Sequence, residues 1–238
     1  MLSKNQIKNI NRLKQKKYRQ QDQLFIAEGV KVIKEFLNSS FKLVDLMTTQ
    51  SFNIEYETLI SEAELKKISC LTTPNTALAV FKIPETEPLI DQGLILALDA
   101  IRDPGNLGTI IRLCDWFGVK QLICSQETVD CYNPKVVQAT MGSLTRVSVH
   151  YVDLEHYLKE TKLPVFGAFM DGNNVYKSNL PQEGILILGN EANGVSKPIE
   201  ACVTDKISIP RFGELQATES LNVATAGAIL LSEFRRGV

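Results

Sequence analysis

The chain has 238 residues, of which 44% are hydrophobic and 22% are charged, and its formal net charge is −1. This composition excludes an intrinsically disordered protein, because the chain can bury one large or two modest apolar cores. No apolar run approaches the roughly 20 residues that cross a bilayer, and the first residues lack the apolar region of a secretory signal. We therefore expect a cytoplasmic protein without a membrane partner.

The cysteines and histidines do not point to a metal site. The five cysteines never fall in Cys-x-x-Cys spacing, and the two histidines, His150 and His156, stand without nearby cysteine partners. We expect buried, reduced thiols, and we predict neither a disulfide framework nor a bound metal.

Basic residues are concentrated at the amino terminus. Residues 1–88 hold 13 Lys and Arg against 10 Asp and Glu, whereas residues 89–238 hold 13 against 17. The first 20 residues hold seven of these basic side chains and no acidic one. If the protein binds RNA, the release of counterions from phosphates should be concentrated in this stretch.

The amino-terminal stretch is predicted to form one amphipathic helix. Ser3 and Gln6 have the spacing of a capping box, and apolar residues follow at helical intervals. A basic ridge recurs at every fourth residue and consists of Lys4, Lys8, Arg12 and Lys16. The ridge is a candidate RNA-binding surface, and a solvated face on a docked helix explains it at least as well.

The elements that follow predict a small α/β domain. A strand from residue 24 turns into a helix near Gly29 that runs to residue 37; a strand at 42–48, a helix at 62–67 and a strand at 77–81 complete the domain. Pro84 and Pro88 then bracket a polar stretch, which is the best linker signal in the chain. We predict an amino-terminal domain over residues 1–83, a linker at 84–88 and a second domain over residues 89–238.

Strands and helices alternate in the second domain. Apolar runs predict strands at residues 94–98, 119–124, 146–152, 165–169, 184–188 and 206–209. Helical patterns cover residues 106–117, 134–144, 154–160, 191–200 and 220–235. This alternation predicts a mainly parallel sheet that is covered by helices on both faces.

Polar residues follow the first strand of the second domain. Asn106 is predicted to cap the next helix, Gly108 keeps the first helical turn open, and Arg112 lies further along. A capped helix that carries an ordinary solvated arginine explains these residues as well. A phosphate-binding glycine loop fits poorly, because the segment lacks both the G-x-G-x-x-G pattern and a Walker lysine.

Two later strands end in a similar way. Gly189 allows close backbone approach at one strand exit, and Glu191 is predicted in the first turn of a helix, where the dipole favours a carboxylate. Pro210 ends the last strand. Ser220 is predicted to cap the last helix, with Asn222 at the helix start. Each residue taken alone is explained by a purely structural role.

Together and in this order, these three segments resemble the signature motifs of the SpoU (TrmH-like) branch of the SPOUT superfamily. The segments cover residues 106–112, 188–194 and 209–224. Residues 25–29 and 73–80 resemble, more loosely, the amino-terminal substrate-binding domain of many members. The resemblance implies an S-adenosylmethionine-dependent RNA ribose 2′-O-methyltransferase, with a deep trefoil knot in its carboxy-terminal domain and a homodimer formed through that domain.

The resemblance also implies roles for the motif residues. Arg112 is implied to engage the target ribose and its phosphate. The residues implied to assist it are Asn106, Glu191, Ser220 and Asn222. The residues whose backbone groups are implied to bind the cofactor are Leu188, Gly189, Ile209, Pro210 and Leu221. The chain departs from the family pattern at residues 211–219, where its loop is longer than usual.

The implied reaction needs no metal, but its nucleophile is weak. A ribose hydroxyl must lose its proton while it attacks the methyl group of the sulfonium. No histidine lies in any motif, and arginine, with a pKa above about 12, is a poor base. We therefore assign Arg112 to orienting the hydroxyl and the phosphate, and Glu191 is the fallback base.

Other functions stay open on these residues. Ribosomal RNA is favoured over tRNA as the substrate because of the added amino-terminal domain. A non-catalytic RNA-binding protein would keep the same fold, but the complete set of motif residues argues against it. A small-molecule enzyme that binds a nucleotide would need a glycine fingerprint, which is missing.

Overall fold

The computed structural model describes residues 1–213, 215 and 220–236. Of the longer loop predicted at residues 211–219, Glu214 and residues 216–219 lie outside the described part of the chain. The contacts divide the chain into two compact units. The first unit consists of Met1–Glu85 and Asp130–Thr145, and the second of Thr86–Val129 and Arg146–Val238.

Helices and strands alternate along most of the chain. The helices are α1 (Lys4–Arg12), α2 (Lys16–Asp22), α3 (Val30–Leu37), α4 (Glu62–Ile68), α5 (Pro104–Trp116), α6 (Pro134–Thr140), α7 (Leu154–Glu160), α8 (Lys197–Glu200) and α9 (Val223–Phe234). The strands are β1 (Leu24–Glu28), β2 (Leu43–Thr48), β3 (Glu57–Leu59), β4 (Ala77–Lys82), β5 (Leu94–Leu98), β6 (Gln121–Ser125), β7 (Ser148–Val152), β8 (Val165–Asn174), β9 (Gly184–Leu188) and β10 (Asp205–Ser208). In the described ranges, no helix has both the length and the apolar character needed to span a bilayer.

The first unit is built on a four-stranded sheet in the order β1-β4-β2-β3. β4 runs antiparallel to both β1 and β2, and β3 pairs in parallel with β2 at the edge. Leu65 and Ile68 of α4 pack with Ile26 and Leu78 of the sheet in one buried core. The mixed α/β fold is confirmed, although the sequence pattern did not predict β3 or α2.

Helix α1 begins where the capping box predicts. The Ser3 hydroxyl accepts a hydrogen bond from the Gln6 N–H at 3.2 Å, and the Gln6 side chain accepts one from the Ser3 N–H at 2.9 Å. The prediction of one continuous helix is wrong, because the chain turns after Leu13 and a second helix begins at Lys16. The guanidinium of Arg19 donates to the Leu13 carbonyl at 2.9 Å, an oxygen that a continuous helix would use for its own ladder.

Asp130–Thr145 packs as part of the first unit, although this segment lies inside the second predicted domain. Arg19 is only 2% exposed, and its Nε donates to Asp130 Oδ2 at 2.9 Å. The rings of Phe25 and Tyr132 lie 4.8 Å apart between centroids. The domain boundaries placed at residues 84–88 stay a prediction.

The second unit contains, within the described residues, a six-stranded sheet in the order β10-β8-β9-β5-β6-β7 with parallel neighbours throughout. Ile187 packs on one face with Leu154 of α7 and Ile199 of α8. Because side chains alternate along a strand, Leu188 faces the other side, where Gly227 of α9 lies against it. The predicted mainly parallel sheet with helices on both faces is confirmed.

Several predicted boundaries differ from those observed. The strands at 94–98 and 184–188 and the helix at 154–160 are confirmed. The helix predicted at 134–144 ends at Thr140, because Met141 and Gly142 both adopt positive φ angles. The strand predicted at 165–169 continues to Asn174, with a shift in its register against β10.

Candidate active site

The first two motifs leave the sheet side by side. β5 and β9 are parallel neighbours, with Leu98 opposite Leu188, and the Asp99 N–H donates to the Leu188 carbonyl at 2.9 Å. The segments that follow both strands therefore start at the same edge of the sheet. The carboxyl edge of a parallel sheet is where α/β proteins build their sites.

Asp103, and not Asn106, caps α5. The Asn106 N–H donates to Asp103 Oδ1 at 2.8 Å, and Pro104 takes the first helical position, where no donor is needed. The prediction of Asn106 as the cap is therefore wrong. Since Asp103 satisfies the helix end, the carboxamide of Asn106 is available for other contacts.

The second motif forms a tight loop with close backbone contacts. A Cβ atom on Gly189 would lie 2.2 Å from the Val195 nitrogen, so only glycine fits there. Asn190 and Gly194 exchange two backbone hydrogen bonds of 2.9 Å that close the loop. Glu191 is exposed in this loop. The prediction that Glu191 lies in the first turn of a helix is wrong, because the closed loop occupies these residues and α8 begins only at Lys197.

The third motif leads into α9. Asn222 caps this helix, since its Oδ1 accepts hydrogen bonds from Ala224 N at 3.0 Å and Thr225 N at 3.2 Å. The prediction of Ser220 as the cap is wrong: Ser220 is exposed, two residues before the actual cap. Asn222 is equally suited to capping, and the two donors it satisfies mark the true helix start.

A network of hydrogen bonds joins the three motifs. Asn222 Nδ2 donates to Asn106 Oδ1 at 2.8 Å, and Asn106 Nδ2 donates to Glu191 Oε1 at 2.9 Å. Capping makes the Asn222 oxygen an acceptor, so its amide nitrogen must donate to Asn106. Asn106 in turn presents its own amide nitrogen to the carboxylate. We call Asn106, Glu191 and Asn222 the motif network.

Comparison with known proteins identifies the family. Residues 93–232 match the SpoU rRNA Methylase family, and residues 4–79 match the MRM3-like substrate binding domain. The chain belongs to the SpoU rRNA methylase family. The 23S rRNA (guanosine(2553)-2′-O)-methyltransferase RlmP of Bacillus subtilis is 31% identical over 98% of this chain and 97% of its own length.

Solved structures resemble this SpoU protein along its whole length. A TrmH-family protein from Porphyromonas gingivalis is 39% identical and covers 99% of both chains with a TM-score of 0.88. An AdoMet-bound rRNA methyltransferase from Sinorhizobium meliloti is 28% identical, covers 99% of this chain and 96% of its own, and also has a TM-score of 0.88.

Family membership confirms the predicted enzyme class. The chain is an S-adenosylmethionine-dependent RNA ribose 2′-O-methyltransferase of the SpoU family, as the three motifs indicated. The alternatives, a non-catalytic RNA-binding protein and a small-molecule enzyme, are not favoured. The roles of individual residues stay predictions.

Arg112 of this SpoU enzyme stands apart from the motif network. Its side chain lies exposed on α5, and it has no hydrogen bond or ion pair with the described residues. A guanidinium presents up to five N–H donors in a planar fork that suits phosphate oxygens. The position therefore leaves Arg112 free to meet a charged ligand from solvent.

Three of the residues implied to bind the cofactor, Leu188, Gly189 and Leu221, lie within three residues of the motif network in sequence. Leu188 is buried at the end of β9, and Gly189 follows it directly. Ile209 and Pro210 are half-buried just after β10. Leu221 is 48% exposed and precedes the cap of α9, so it offers an apolar surface to solvent.

The basic ridge is divided between two helices and is not uniformly free. Lys4, Lys8 and Lys16 are exposed. Arg12 is half-buried, and its Nε donates to Asp22 Oδ2 at 2.9 Å. The ridge therefore presents three lysines that form no ion pair with another described residue, whereas Arg12 is already neutralised by Asp22.

Sequence reasoning missed two residues that shape this site. Asp99 is 6% exposed and accepts a hydrogen bond from Ser196 N at 2.7 Å. Asn190 links its own loop to the Ala100 carbonyl at 2.7 Å. A polar residue within two positions of the end of a buried strand was the available signal in both cases, but the partners lie 90 and 97 residues away in sequence.

Proposed function

We propose that this enzyme methylates the ribose 2′-hydroxyl of a nucleotide in 23S rRNA. The similarity to RlmP of Bacillus subtilis, which extends along nearly the full length of both chains, supports this substrate class. The match of residues 4–79 to a substrate binding domain adds a second, independent part of the chain that agrees with it. The cytoplasm is the compartment in which such a substrate would be met.

The motif network is the observation that carries the proposed chemistry. It holds the exposed Glu191 carboxylate by a directed hydrogen bond from Asn106, which is itself oriented by the helix cap Asn222. Charged and polar groups that are fixed before the substrate binds need no reorganisation during the reaction. We assign this network to the reacting ribose.

The reaction is a displacement at carbon. S-Adenosylmethionine, when bound, supplies a methyl group on a positively charged sulfur. The ribose oxygen would form a bond to the methyl carbon as the bond from sulfur to that carbon breaks, and the electron pair of the broken bond would remain on sulfur. The hydroxyl proton must pass to a base, and Glu191 is the carboxylate that the network places at this edge.

Arg112 is assigned to binding and orientation of the RNA. Its exposed guanidinium has no partner among the described side chains, so a phosphate would not have to displace an existing ion pair. Bidentate contact with a phosphate would hold the ribose in line with the transferred methyl group. Ser220, which is exposed two residues before Asn222, is also assigned to binding the RNA.

The residues at the strand exits fit the proposed cofactor. Leu188, Ile209, Pro210 and Leu221 combine apolar side chains with backbone groups that leave the carboxyl edge of the sheet. An adenosine moiety needs apolar contact on its faces and a few polar groups at its edge. Gly189 lets the chain turn there without a side chain in the way.

We further propose a trefoil knot and a homodimer through the second unit. The chain passes from β9 to the edge strand β10 and then returns to α9, whose cap contacts Asn106 beyond β9. β8 and β9 thus separate β10 from the strand that precedes Asn106, and this arrangement supports the proposed knot. Trp116, 84% exposed at the end of α5, supports a partner on the helices of that face.

The domain at residues 1–83 is assigned to RNA binding, with Lys4, Lys8 and Lys16 as its cationic contacts. Their exposure and lack of carboxylate partners among the described residues support this role. Arg12 contributes less, because Asp22 already neutralises it. The net acidic second part of the chain makes such a basic surface necessary for phosphate binding.

Methyl transfer to defined RNA tests the proposal. Purified protein with methyl-labelled S-adenosylmethionine should label 23S rRNA from a strain that lacks this gene, and should not label rRNA from the parent strain. Mapping of the labelled site should find a 2′-O-methylated ribose. Labelling of tRNA alone, or of no RNA, would contradict the proposal.

A further inference from the structure

The chain forms an unusual corner directly after β5. Ala100 has a φ of +57°, in the left-handed region that residues with a Cβ atom rarely adopt. Such conformations persist only where surrounding contacts enforce them, and they concentrate at functional sites.

Groups at the ends of the two strands that flank β5, together with Ser196, hold the corner in place. The Ala100 N–H donates to the Ser125 hydroxyl at 3.0 Å, at the end of β6. The Asp99 N–H donates to the Leu188 carbonyl at 2.9 Å, at the end of β9. The buried Asp99 carboxylate accepts a hydrogen bond from Ser196 N at 2.7 Å. The corner is thus fixed relative to the second motif.

Asn190 connects this corner to the motif network through both ends of its side chain. Its Oδ1 accepts hydrogen bonds from Ala192 N at 3.0 Å and Asn193 N at 3.2 Å, which shape the loop. Its Nδ2 donates to the Ala100 carbonyl at 2.7 Å and lies 3.5 Å from Glu191 Oε2. Asn106 holds the other oxygen of the same carboxylate.

We propose that Asn190 is a positioning residue for methyl transfer. It anchors the loop to the strained corner, and its nitrogen contacts the Glu191 oxygen that Asn106 does not bind. The inference rests on the proposed function and on the assignment of Glu191 to the reacting ribose. In this role the donor nitrogen of Asn190 is necessary for the rate of methyl transfer, in addition to the oxygen that shapes the loop.

The variant Asn190→Asp separates the role of the donor nitrogen from the role of the oxygen that shapes the loop. Aspartate has the same shape and keeps the oxygen that accepts from Ala192 N and Asn193 N, so the loop can form. The replaced nitrogen becomes an oxygen that faces two acceptors, the Ala100 carbonyl and Glu191. We expect kcat to fall on the order of 100-fold, as for small misplacements of a reacting group. KM for S-adenosylmethionine should stay within about threefold, because the loop backbone is kept.

Asn193→Asp is the matched control. It makes the same chemical change in the same loop, at an exposed side chain that has no hydrogen bond to another described residue. We expect its kcat to match the unsubstituted enzyme, which would exclude a general effect of added negative charge. An equal loss of kcat in both variants would overturn the proposal.

A role in loop formation alone predicts a different result. Asn190→Asp would then keep kcat, and only variants that lose the acceptor would lower the melting temperature and cofactor affinity. If Asn190→Asp does not fold, Asn190→Ser supplies the test, since its short hydroxyl can still accept within the loop but does not reach Ala100 or Glu191. Retention of kcat in a folded variant of either kind would overturn the proposal.

Labelling of 23S rRNA by the unsubstituted enzyme tests the proposed function separately from the role of Asn190. If it fails to label 23S rRNA, the proposed substrate is wrong, and the variants are compared on whichever RNA it does methylate. If it labels 23S rRNA and Asn190→Asp labels it at the same rate, only the positioning role is wrong.

Discussion

Asn222 Nδ2 lies 2.8 Å from Asn106 Oδ1, although 116 residues separate the two in sequence. One carboxamide caps α9 with its oxygen and orients a second carboxamide with its nitrogen. The start of the last helix and the orientation of the first motif are therefore set by a single side chain. Stability and catalysis should be separable at this residue, because they depend on different atoms.

Asn222→Asp should lower kcat while leaving the protein stable. Aspartate is as good a helix cap as asparagine, and its charge is favoured at the helix amino terminus, but it cannot donate to Asn106. Asn222→Ala should lose both functions and cost about 1 kcal/mol of unfolding free energy through the lost cap. Thermal melting and single-turnover methyl transfer measure the two effects. Equal kcat for Asn222→Asp and the unsubstituted protein would contradict the role of the donor.

Arg112→Ala should abolish methyl transfer and leave the affinity for S-adenosylmethionine within a few-fold. The reason is that Arg112 is assigned to the RNA, whereas the cofactor is assigned to backbone groups. Calorimetric titration with the cofactor and labelling of RNA measure the two sides of this prediction. Lys120→Ala, which removes another exposed cation just beyond the same helix, is the control and should keep the rate. A fully active Arg112→Ala protein would refute the assignment.

The dependence of RNA binding on salt should report the number of lysines that contact phosphate. Replacing Lys4, Lys8 and Lys16 with Gln should weaken binding and flatten the slope of log affinity against log salt by about two to three, at slightly less than one per phosphate contact. Adding Arg12→Gln should change the slope little, because Asp22 already neutralises Arg12. Affinity for S-adenosylmethionine should not change.

A triple variant on another surface of the first unit controls for total charge. Lys31, Lys34 and Lys42 are exposed, and replacing them with Gln removes the same number of charges. If both triple variants flatten the slope equally, RNA does not prefer the ridge. An unchanged slope of log affinity against log salt for the ridge variant would show that the ridge is only a solvated surface.

The sequence predicts the buried strands well because strands covered on both faces are nearly continuous apolar runs. β5 and β9 agree residue for residue with their predicted bounds for this reason. The helix caps were harder to predict from the sequence, because Asp103 and Asn106 are equally good caps by residue type. The same holds for Ser220 and Asn222. Pro104 at the first helical position was the local signal that favoured Asp103.

Contacts between distant segments could not be predicted from local patterns. The four-residue spacing of basic residues continues through the turn between α1 and α2, so periodicity alone hid the break. The break depends on Arg19, whose partners are the Leu13 carbonyl and Asp130, 111 residues away. The anchoring of Asn190 likewise depends on the Ala100 carbonyl, a group that every residue type carries.

The ion pair between Arg19 and Asp130 should be the main electrostatic support of the first unit. Asp130→Ala leaves a guanidinium that is 2% exposed without its carboxylate, and the loss of one partner from a buried pair costs roughly 3–5 kcal/mol. The double variant Arg19→Met and Asp130→Leu removes both charges and should recover much of that stability. Chemical denaturation of Arg19→Met, of Asp130→Leu and of the double variant gives the coupling energy directly. If Asp130→Ala costs less than about 1 kcal/mol, or if the double variant is no more stable than the single one, Asp130–Thr145 is held to the first unit by its apolar contacts alone.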